Sequence, residues 1–141
     1  MSSIRYEAEL LAPISRHLNY KGYRWQEAEV RFYDYRIDLY AYSRVNDQTI
    51  AIELKLRNWK KALSQSIVYQ LCADIVYAAL PKDVISESVI ESFKLHGVGL
   101  IGVSDKHRCC QILQPGQSDE VRSWYRNELI SNLTGKLHEH C

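Results

Sequence analysis

Residues Arg36–Lys61 read RIDLYAYSRVNDQTIAIELKLRNWKK, two segments of alternating apolar and polar residues around a polar gap, Ser43–Gln48. Alternation with a period of two is typical of half-buried strands, and a short gap containing Asn-Asp is typical of a hairpin turn. We therefore predict two antiparallel strands. Their apolar faces would carry Ile37, Leu39 and Ala41 on the first strand and Ile50, Ile52, Leu54 and Leu56 on the second.

The opposite face of this hairpin collects charged residues. If the hairpin closes symmetrically about the gap, Asp38 lies opposite Glu53, and facing residues on paired strands are roughly 4.5–5.5 Å apart. Lys55 follows Glu53 by two residues, so it shares that face. Two carboxylates and an ammonium group can hold Mg²⁺ and stabilise a phosphoryl transition state. The alternative is an ordinary solvated Glu–Lys face, with Asp38 capping the backbone or pairing with Arg36.

The rest of the chain predicts helices and further strands around the hairpin. We expect helices over residues 3–19, 59–73, 86–95 and 118–133, and strands over 23–31, 36–42, 75–80, 98–103 and 109–113. Asn58 is the expected N-cap of the second helix. That helix makes a crossover, so the strand over 75–80 should run parallel to the second hairpin strand. The sum is one α/β domain over residues 1–141, with a mixed sheet of three antiparallel strands, a crossover helix and then a parallel strand, flanked by helices.

Composition sets broad limits. With 141 residues and 46% apolar content the chain can bury a real core, and no apolar run reaches the length of a membrane span. The four cysteines contain no CxxC pair, and the amino terminus shows no leader, so we expect a cytoplasmic protein with reduced thiols. The net charge is only +1, yet Lys and Arg outnumber Asp and Glu within residues 1–61. A polyanion should therefore bind the first half, where cations surround Trp59: Lys55, Arg57, Lys60 and Lys61.

Further candidate site residues lie on the predicted helices and strands near this face. Glu7 falls on the apolar stripe of the first helix, either at its edge in contact with water or pointing at the Asp38/Glu53 face. Gln65 and Tyr69 share one row of the second helix. Tyrosines near the proposed site would line a nucleic-acid groove or a dimer interface: Tyr33, Tyr35, Tyr40 and Tyr42.

Asp38, followed after fourteen residues by Glu53-Leu54-Lys55, resembles the D…(D/E)-x-K signature of the PD-(D/E)XK nuclease superfamily, which has the restriction-endonuclease-like fold. The order of the surrounding elements is similar to that of small resolvase-like and VRR-type members. The resemblance covers about residues 4–104, and includes the segments 73–81 and 97–103. It leaves out 105–141, the predicted edge strand and C-terminal helix. The chain departs from the signature at Ile37, which stands in place of the proline, a position at which many members vary.

The resemblance implies a role for each residue at the face. Asp38, Glu53 and the Leu54 carbonyl would bind Mg²⁺ or Mn²⁺, and Lys55 would position the nucleophile. The adjacent carboxylates favour the ammonium form of Lys55, so a metal-activated water with Lys55 as its electrostatic partner is the expected mechanism. Supporting residues from the flanking helices would be Glu7 and Gln65, and nucleic-acid contacts would be Arg57, Lys60, Lys61 and Tyr69.

The implied function is a Mg²⁺-dependent endonuclease that hydrolyses DNA, with RNA as an alternative substrate. A chain of this size spans one scissile site, so double-stranded or branched substrates would require a homodimer. The competing hypothesis is a catalytically inactive protein of the same fold that acts as a nucleic-acid-binding or assembly module.

Overall fold

The computed structural model of the protein describes residues 4–138, and within them six strands form one mixed sheet whose order follows the chain, β1-β2-β3-β4-β5-β6. The strands β1–β3 are antiparallel, β3, β4 and β5 are parallel, and β6 is antiparallel to β5. Their bounds are Trp25–Phe32, Tyr35–Ser43, Gln48–Leu54, Ile75–Pro81, Gly99–Val103 and Cys109–Leu113. The predicted α/β class, the three antiparallel strands and the parallel fourth strand are confirmed.

Helices cover both faces of the sheet. One face packs against α1 and contains Leu39, Ala41 and Ile52, while the other packs against α2, α3 and α4 and contains Tyr40, Ala51 and Leu100. The helices span Ala8–Tyr20, Glu87–Leu95 and Ser123–His138 for α1, α3 and α4, and Trp59–Tyr69 for α2. No helix within residues 4–138 is long and apolar enough to cross a membrane.

The prediction of half-buried hairpin strands was wrong for β3. Every residue of β3 after Gln48 is buried, including Ala51 and Glu53 on the face predicted to be polar. The reason is that the parallel part of the sheet is covered by helices on both sides, which buries both faces of its strands.

The predicted hairpin register is confirmed, with one break. Leu39 lies opposite Ile52 and Tyr40 opposite Ala51. The expected common face of Ile37, Leu39 and Ala41 was wrong, because Ile37 packs with the α2 side of the core. The β2–β3 pairing ends at Leu39, and the β1–β2 pairing skips Asp38 opposite Glu29, which has a φ of 56°. Because of this interruption, side chains stop alternating between the two faces of β2 at Asp38, and Ile37 and Leu39 pack on opposite sides of the sheet.

Several helix ends differ from the prediction for identifiable reasons. The first helix begins at Ala8 because the Glu9 carboxylate accepts the N–H groups of Arg5 and Tyr6 ahead of it; Ser3 lies outside the described residues. The last helix begins five residues later than predicted, at Ser123. Ser118 instead donates its hydroxyl to the Gln70 carbonyl, which anchors the preceding segment across the end of α2.

The second helix begins where the sequence predicts. Asn58 is its N-cap, and the Asn58 side chain accepts the Lys61 N–H at 3.2 Å. It ends at Tyr69 rather than Ala73, in a turn that leads directly into β4. Trp59 could stack on a base or pack on the third strand by sequence alone; it packs instead on Phe93 of α3, at a centroid distance of 6.4 Å. The cap therefore fixes where α2 leaves the carboxyl end of β3.

Candidate active site

Asp38 and Glu53 come together at the end of the β2–β3 ladder. The Asp38 carboxylate accepts the Leu54 backbone N–H at 2.7 Å, which ties it to the residue after Glu53. Arg36, the alternative partner for Asp38, instead lies 3.8 Å from Glu29. Each carboxyl group also acts on the pKa of the other, so the two side chains lie close together. The predicted convergence of the two acids is therefore present.

Glu53 is a buried acid, only 3% exposed. Its Oε1 accepts the Tyr69 hydroxyl at 2.9 Å, and its Oε2 lies 3.7 Å from the Lys55 Nζ. Burial, and next the Asp38 carboxylate, raise the pKa of Glu53 to about 8. Glu53 is therefore the member of the pair that retains a proton near neutral pH, and Lys55 gives the pair its cationic partner.

Asp38 is less buried than Glu53 and more strongly hydrogen-bonded. Burial raises its pKa above the ordinary value, while the hydrogen bonds from Leu54 and Glu53 and the charge of Lys55 act in the opposite direction. Glu7 also raises the pKa of Asp38 by charge repulsion. Glu7 itself is exposed at the start of α1, as the first interpretation of this residue expected, and whether it points at the carboxylates stays a prediction.

The second helix faces the carboxylates with Tyr69 and Gln65, one helical turn apart. Tyr69 is fully buried, so it has no surface for a nucleic acid, and its hydroxyl holds Glu53 instead. The Gln65 Oε1 atom is buried and has no hydrogen-bond partner among the described residues. A buried amide oxygen without a donor is costly, so a water or another donor beside Gln65 would stabilise the fold, as it would at Ser66 Oγ, which is also buried without a partner among the described residues.

The residues present fit a hard divalent cation with few protein ligands. No group of three or more His, Cys, Asp or Glu side chains in the described part of the chain is placed to chelate a metal. Mg²⁺ typically binds through one or two carboxylates and takes its other oxygen ligands from water and substrate phosphates. Asp38 and Glu53 provide that pair, and Leu54, whose carbonyl is the third predicted ligand, is the last residue of β3.

A cleft opens at the carboxyl ends of β3 and β4, and none of Asp38, Glu53 and Lys55 lines it. It has a volume of about 580 Å³ and is lined by Ile4, Arg5, Leu56, Arg57, Pro81, Asp83 and Val84. Arg57 was predicted as a nucleic-acid contact, and Arg5 was not. The only sequence signal for Arg5 was its position two residues before Glu7. The two guanidinium groups make this cleft suitable for phosphate, which arginine binds with paired N–H donors.

The other residues predicted near a nucleic acid differ in how exposed they are to solvent. Lys60 and Lys61 are exposed on the first turn of α2, and the Lys60 Nζ lies 5.7 Å from the centre of the Trp59 ring. Tyr40 is fully buried and donates to the Cys72 carbonyl, so it lines neither a groove nor an interface. Tyr42 donates to Asp47 at the far end of the hairpin. Of this tyrosine group, Tyr35 lies beside the site, with its ring 6.3 Å from that of Tyr69, while Tyr33 packs against Phe32 and Tyr125.

We expect Glu53→Gln to change how stability depends on pH. Because the folded-state pKa of Glu53 is raised from 4.5 to about 8, the proton on Glu53 stabilises the fold fully below pH 4.5, and that stability is lost as pH rises toward 8. Without metal, Glu53→Gln should therefore match wild type near pH 4.5 and exceed it at pH 8 by on the order of a few kcal/mol. Urea unfolding across this range measures the difference. A difference that does not vary with pH would contradict the buried, protonated state of Glu53.

Comparison with known proteins gives fold information only. No family model and no curated protein matches the sequence. Among solved structures, the chain is similar to the SPO1766 protein of unknown function from Silicibacter pomeroyi. The TM-score is 0.72 at 16% identity, and the match covers 98% of this chain and 90% of that one. This likeness shows that the two chains share a fold.

Proposed function

We propose that this protein is a Mg²⁺-dependent nuclease that hydrolyses DNA phosphodiester bonds. The observation that carries the proposal is the cluster of Asp38, Glu53 and Lys55, with the Lys55 Nζ 3.7 Å from Glu53 Oε2. The order of the helices and strands around this cluster supports a restriction-endonuclease-like architecture. Gln65, one helical turn before Tyr69 on α2, adds a buried acceptor without a hydrogen-bond partner among the described residues.

In this proposal each residue has a distinct task. Asp38 and Glu53 hold Mg²⁺ or Mn²⁺, with the Leu54 carbonyl as a further ligand. A bound divalent cation supplies Lewis-acid stabilisation of the phosphoryl oxygens and lowers the pKa of a coordinated water. Lys55 stabilises the negative charge that grows on the phosphoryl oxygens in the transition state. Tyr69 fixes the orientation of Glu53 through its hydroxyl, and Glu7 adds negative charge near Asp38.

The substrate path follows the basic residues away from the carboxylates. Arg5 and Arg57 in the adjacent cleft would take phosphates next to the scissile bond, and Lys60 and Lys61 would take phosphates further along. Asp83 also lines the cleft and opposes anion binding there. One copy offers one carboxylate cluster, so cleavage of both strands of a duplex would require a homodimer.

The second candidate is a catalytically inactive binding or assembly module. The burial of Glu53 favours it, since a carboxyl group that is 3% exposed and bonded to Tyr69 must lose its proton and move to reach a cation. The two functions differ in one measurable respect, which is whether the wild-type protein cleaves anything.

The deciding experiment is a cleavage assay on the purified wild-type protein. We expect cleavage with Mg²⁺ or Mn²⁺ on at least one of linear, nicked or branched DNA or RNA, and none with EDTA. Failure to cleave all four with either metal would favour the binding module. Metal-dependent cleavage of RNA alone would support the proposed hydrolysis and identify RNA, rather than DNA, as the substrate.

We further expect that reversing both exposed lysines of α2, in Lys60→Glu/Lys61→Glu, weakens DNA binding and makes it less sensitive to salt. For every phosphate that the variant no longer neutralises, binding releases about one counterion fewer, so the slope of log Kd against log salt should fall by roughly one to two. Fluorescence anisotropy at several salt concentrations gives the slope. Lys106→Glu, at an exposed lysine between β5 and β6, is the matched control, and an unchanged slope in the double variant would move the binding surface elsewhere.

A further inference from the structure

The β1–β2 turn and the first turn of α4 form a second cleft, which the carboxylate cluster does not use. We call it the aromatic cleft and define it by its rings, Phe32, Tyr33, Trp124 and Tyr125; its volume is about 310 Å³. Phe32 lies at the base and contacts Tyr33 and Tyr125 at centroid distances of 5.0 and 5.2 Å. Trp124 contacts Tyr125 at 5.2 Å.

Two of these rings present most of their surface to solvent. Trp124 is 70% exposed and Tyr33 is 62% exposed, whereas Phe32 beneath them is 5% exposed. The helix that carries Trp124 is firmly anchored, since Arg126 binds Asp74 at 3.0 Å and Leu129 is buried in the core. The exposed rings are therefore held in place rather than free to fold back.

Tyr33 occupies a backbone conformation that a bulky residue rarely adopts. Its φ is 55°, in a two-residue turn between Phe32 and Tyr35 where glycine or asparagine would be the favoured choice. A strained residue of this kind persists when its side chain has a role that offsets the strain. The turn thus places a large ring at the cleft at some cost in stability.

The aromatic cleft is connected to the carboxylate cluster through the same turn. Tyr35 lies on the site side of the turn, with its ring 6.3 Å from that of Tyr69. Tyr69 in turn donates its hydroxyl to Glu53. Through these contacts the turn that carries the aromatic cleft packs against the residue that holds Glu53.

We propose that the aromatic cleft binds an unpaired nucleobase, so that the preferred substrate has a single-stranded segment next to the scissile bond. This inference rests on the proposed nuclease function and names its substrate class. Bases stack on aromatic rings regardless of sequence, and bases inside a duplex are not available for such stacking. At the rim, Arg31 can bind a phosphate, Asn132 can donate or accept hydrogen bonds at a base edge, and Glu128 can accept them.

The size of the cleft favours a base over a second protein chain. A stable dimer interface buries about 800 Å² on each partner, with many residues on each side. The exposed apolar surface here is concentrated in two rings around a small cavity, and Arg31 and Glu128 flank it. A planar base fits this arrangement, so a protein partner becomes an outcome of the test.

The test compares single-stranded and duplex binding in EDTA, where no cleavage occurs. We expect Trp124→Ala and Tyr33→Gly each to raise the Kd for a labelled oligothymidylate by about tenfold or more. The Kd for a blunt duplex of the same length should change by less than about twofold. Tyr33→Gly is the key variant because glycine relieves the positive φ, so a loss of binding cannot come from an unfolded turn. Tyr20→Ala, at an 88% exposed tyrosine ending α1, is the matched control and should leave both Kd values unchanged.

Three results would overturn the inference. The first is wild-type affinity for the oligothymidylate in both variants, and the second is an equal loss for single strand and duplex. The third is a wild-type dimer that either variant converts to monomer while oligothymidylate affinity stays the same. Trp124-dependent, single-strand-selective binding by a protein that cleaves nothing would support this inference and refute the nuclease function. Metal-dependent cleavage without that selectivity would support the nuclease function and refute this inference.

Discussion

Asp38→Asn is expected to reduce metal-dependent cleavage by about a thousandfold or more, because a divalent cation contributes several kcal/mol to such a transition state. It should also remove the increase in Tm that Mg²⁺ or Mn²⁺ gives the wild type, since that increase depends on binding to the folded state. The fold should remain intact. Asparagine keeps an oxygen that can accept the Leu54 N–H, which Asp38 accepts at 2.7 Å, whereas Asp38→Ala would leave that N–H without an acceptor.

The same variant makes a prediction about the metal-free protein. Removing the Asp38 charge relieves its repulsion of Glu53, so above neutral pH Asp38→Asn should be at least as stable as wild type. Asp34→Asn, at an exposed aspartate in the β1–β2 turn, is the control and should cleave and bind metal normally. Differential scanning fluorimetry with and without metal gives both answers. A metal-induced Tm increase of wild-type size in Asp38→Asn would show that the cation binds elsewhere.

The sequence predicted the hairpin well because its register depends on local information. The polar gap sets which residues face each other, so the opposition of Tyr40 and Ala51 follows from counting. The break at Asp38 does not, since it depends on Glu29 of the neighbouring strand adopting a positive φ. Likewise, the start of α4 could not be predicted from periodicity, because Ser118 is held by a carbonyl 48 residues away.

At the site, the sequence predicted which residues converge and missed how they are held. Asp38, Glu53 and Lys55 lie on or directly after the hairpin strands, so their proximity could be predicted by counting from the turn, although the alternation ends at Asp38 and β3 ends at Leu54. Tyr69 was expected to face a nucleic acid, but the helix packs it onto Glu53, which depends on the tertiary position of α2. Arg5 joined the site only because the segment before α1 lies against the carboxyl ends of β3 and β4. Of the causes that set the pKa of Glu53, burial and the Tyr69 hydroxyl are of this tertiary kind, whereas Asp38 and Lys55 were expected from the sequence.

Lys55→Met is expected to cut turnover by ~10²–10³, the usual cost of removing one preorganised electrostatic interaction from a transition state. The Lys55 side chain is only 18% exposed, so methionine preserves most of its packing and removes the charge 3.7 Å from Glu53. DNA affinity should fall by no more than about tenfold, since other cations bind the intact substrate. Lys60→Met, at an exposed lysine on α2, is the control for losing one positive charge and should keep wild-type turnover.

The metal-induced increase in Tm distinguishes the role of Lys55 from that of Asp38. Lys55 carries the same sign of charge as the cation, so Lys55→Met should retain the metal-induced Tm increase that Asp38→Asn loses. Single-turnover cleavage, DNA affinity and Tm on the same preparations then give three different patterns. Loss of turnover alone in Lys55→Met indicates a transition-state role, while loss of DNA affinity alone, in a wild type that cleaves nothing, indicates the binding module. If Lys55→Met cleaves as fast as wild type, the activity comes from another site, because no catalytic scheme built on this carboxylate pair leaves its neighbouring cation without effect.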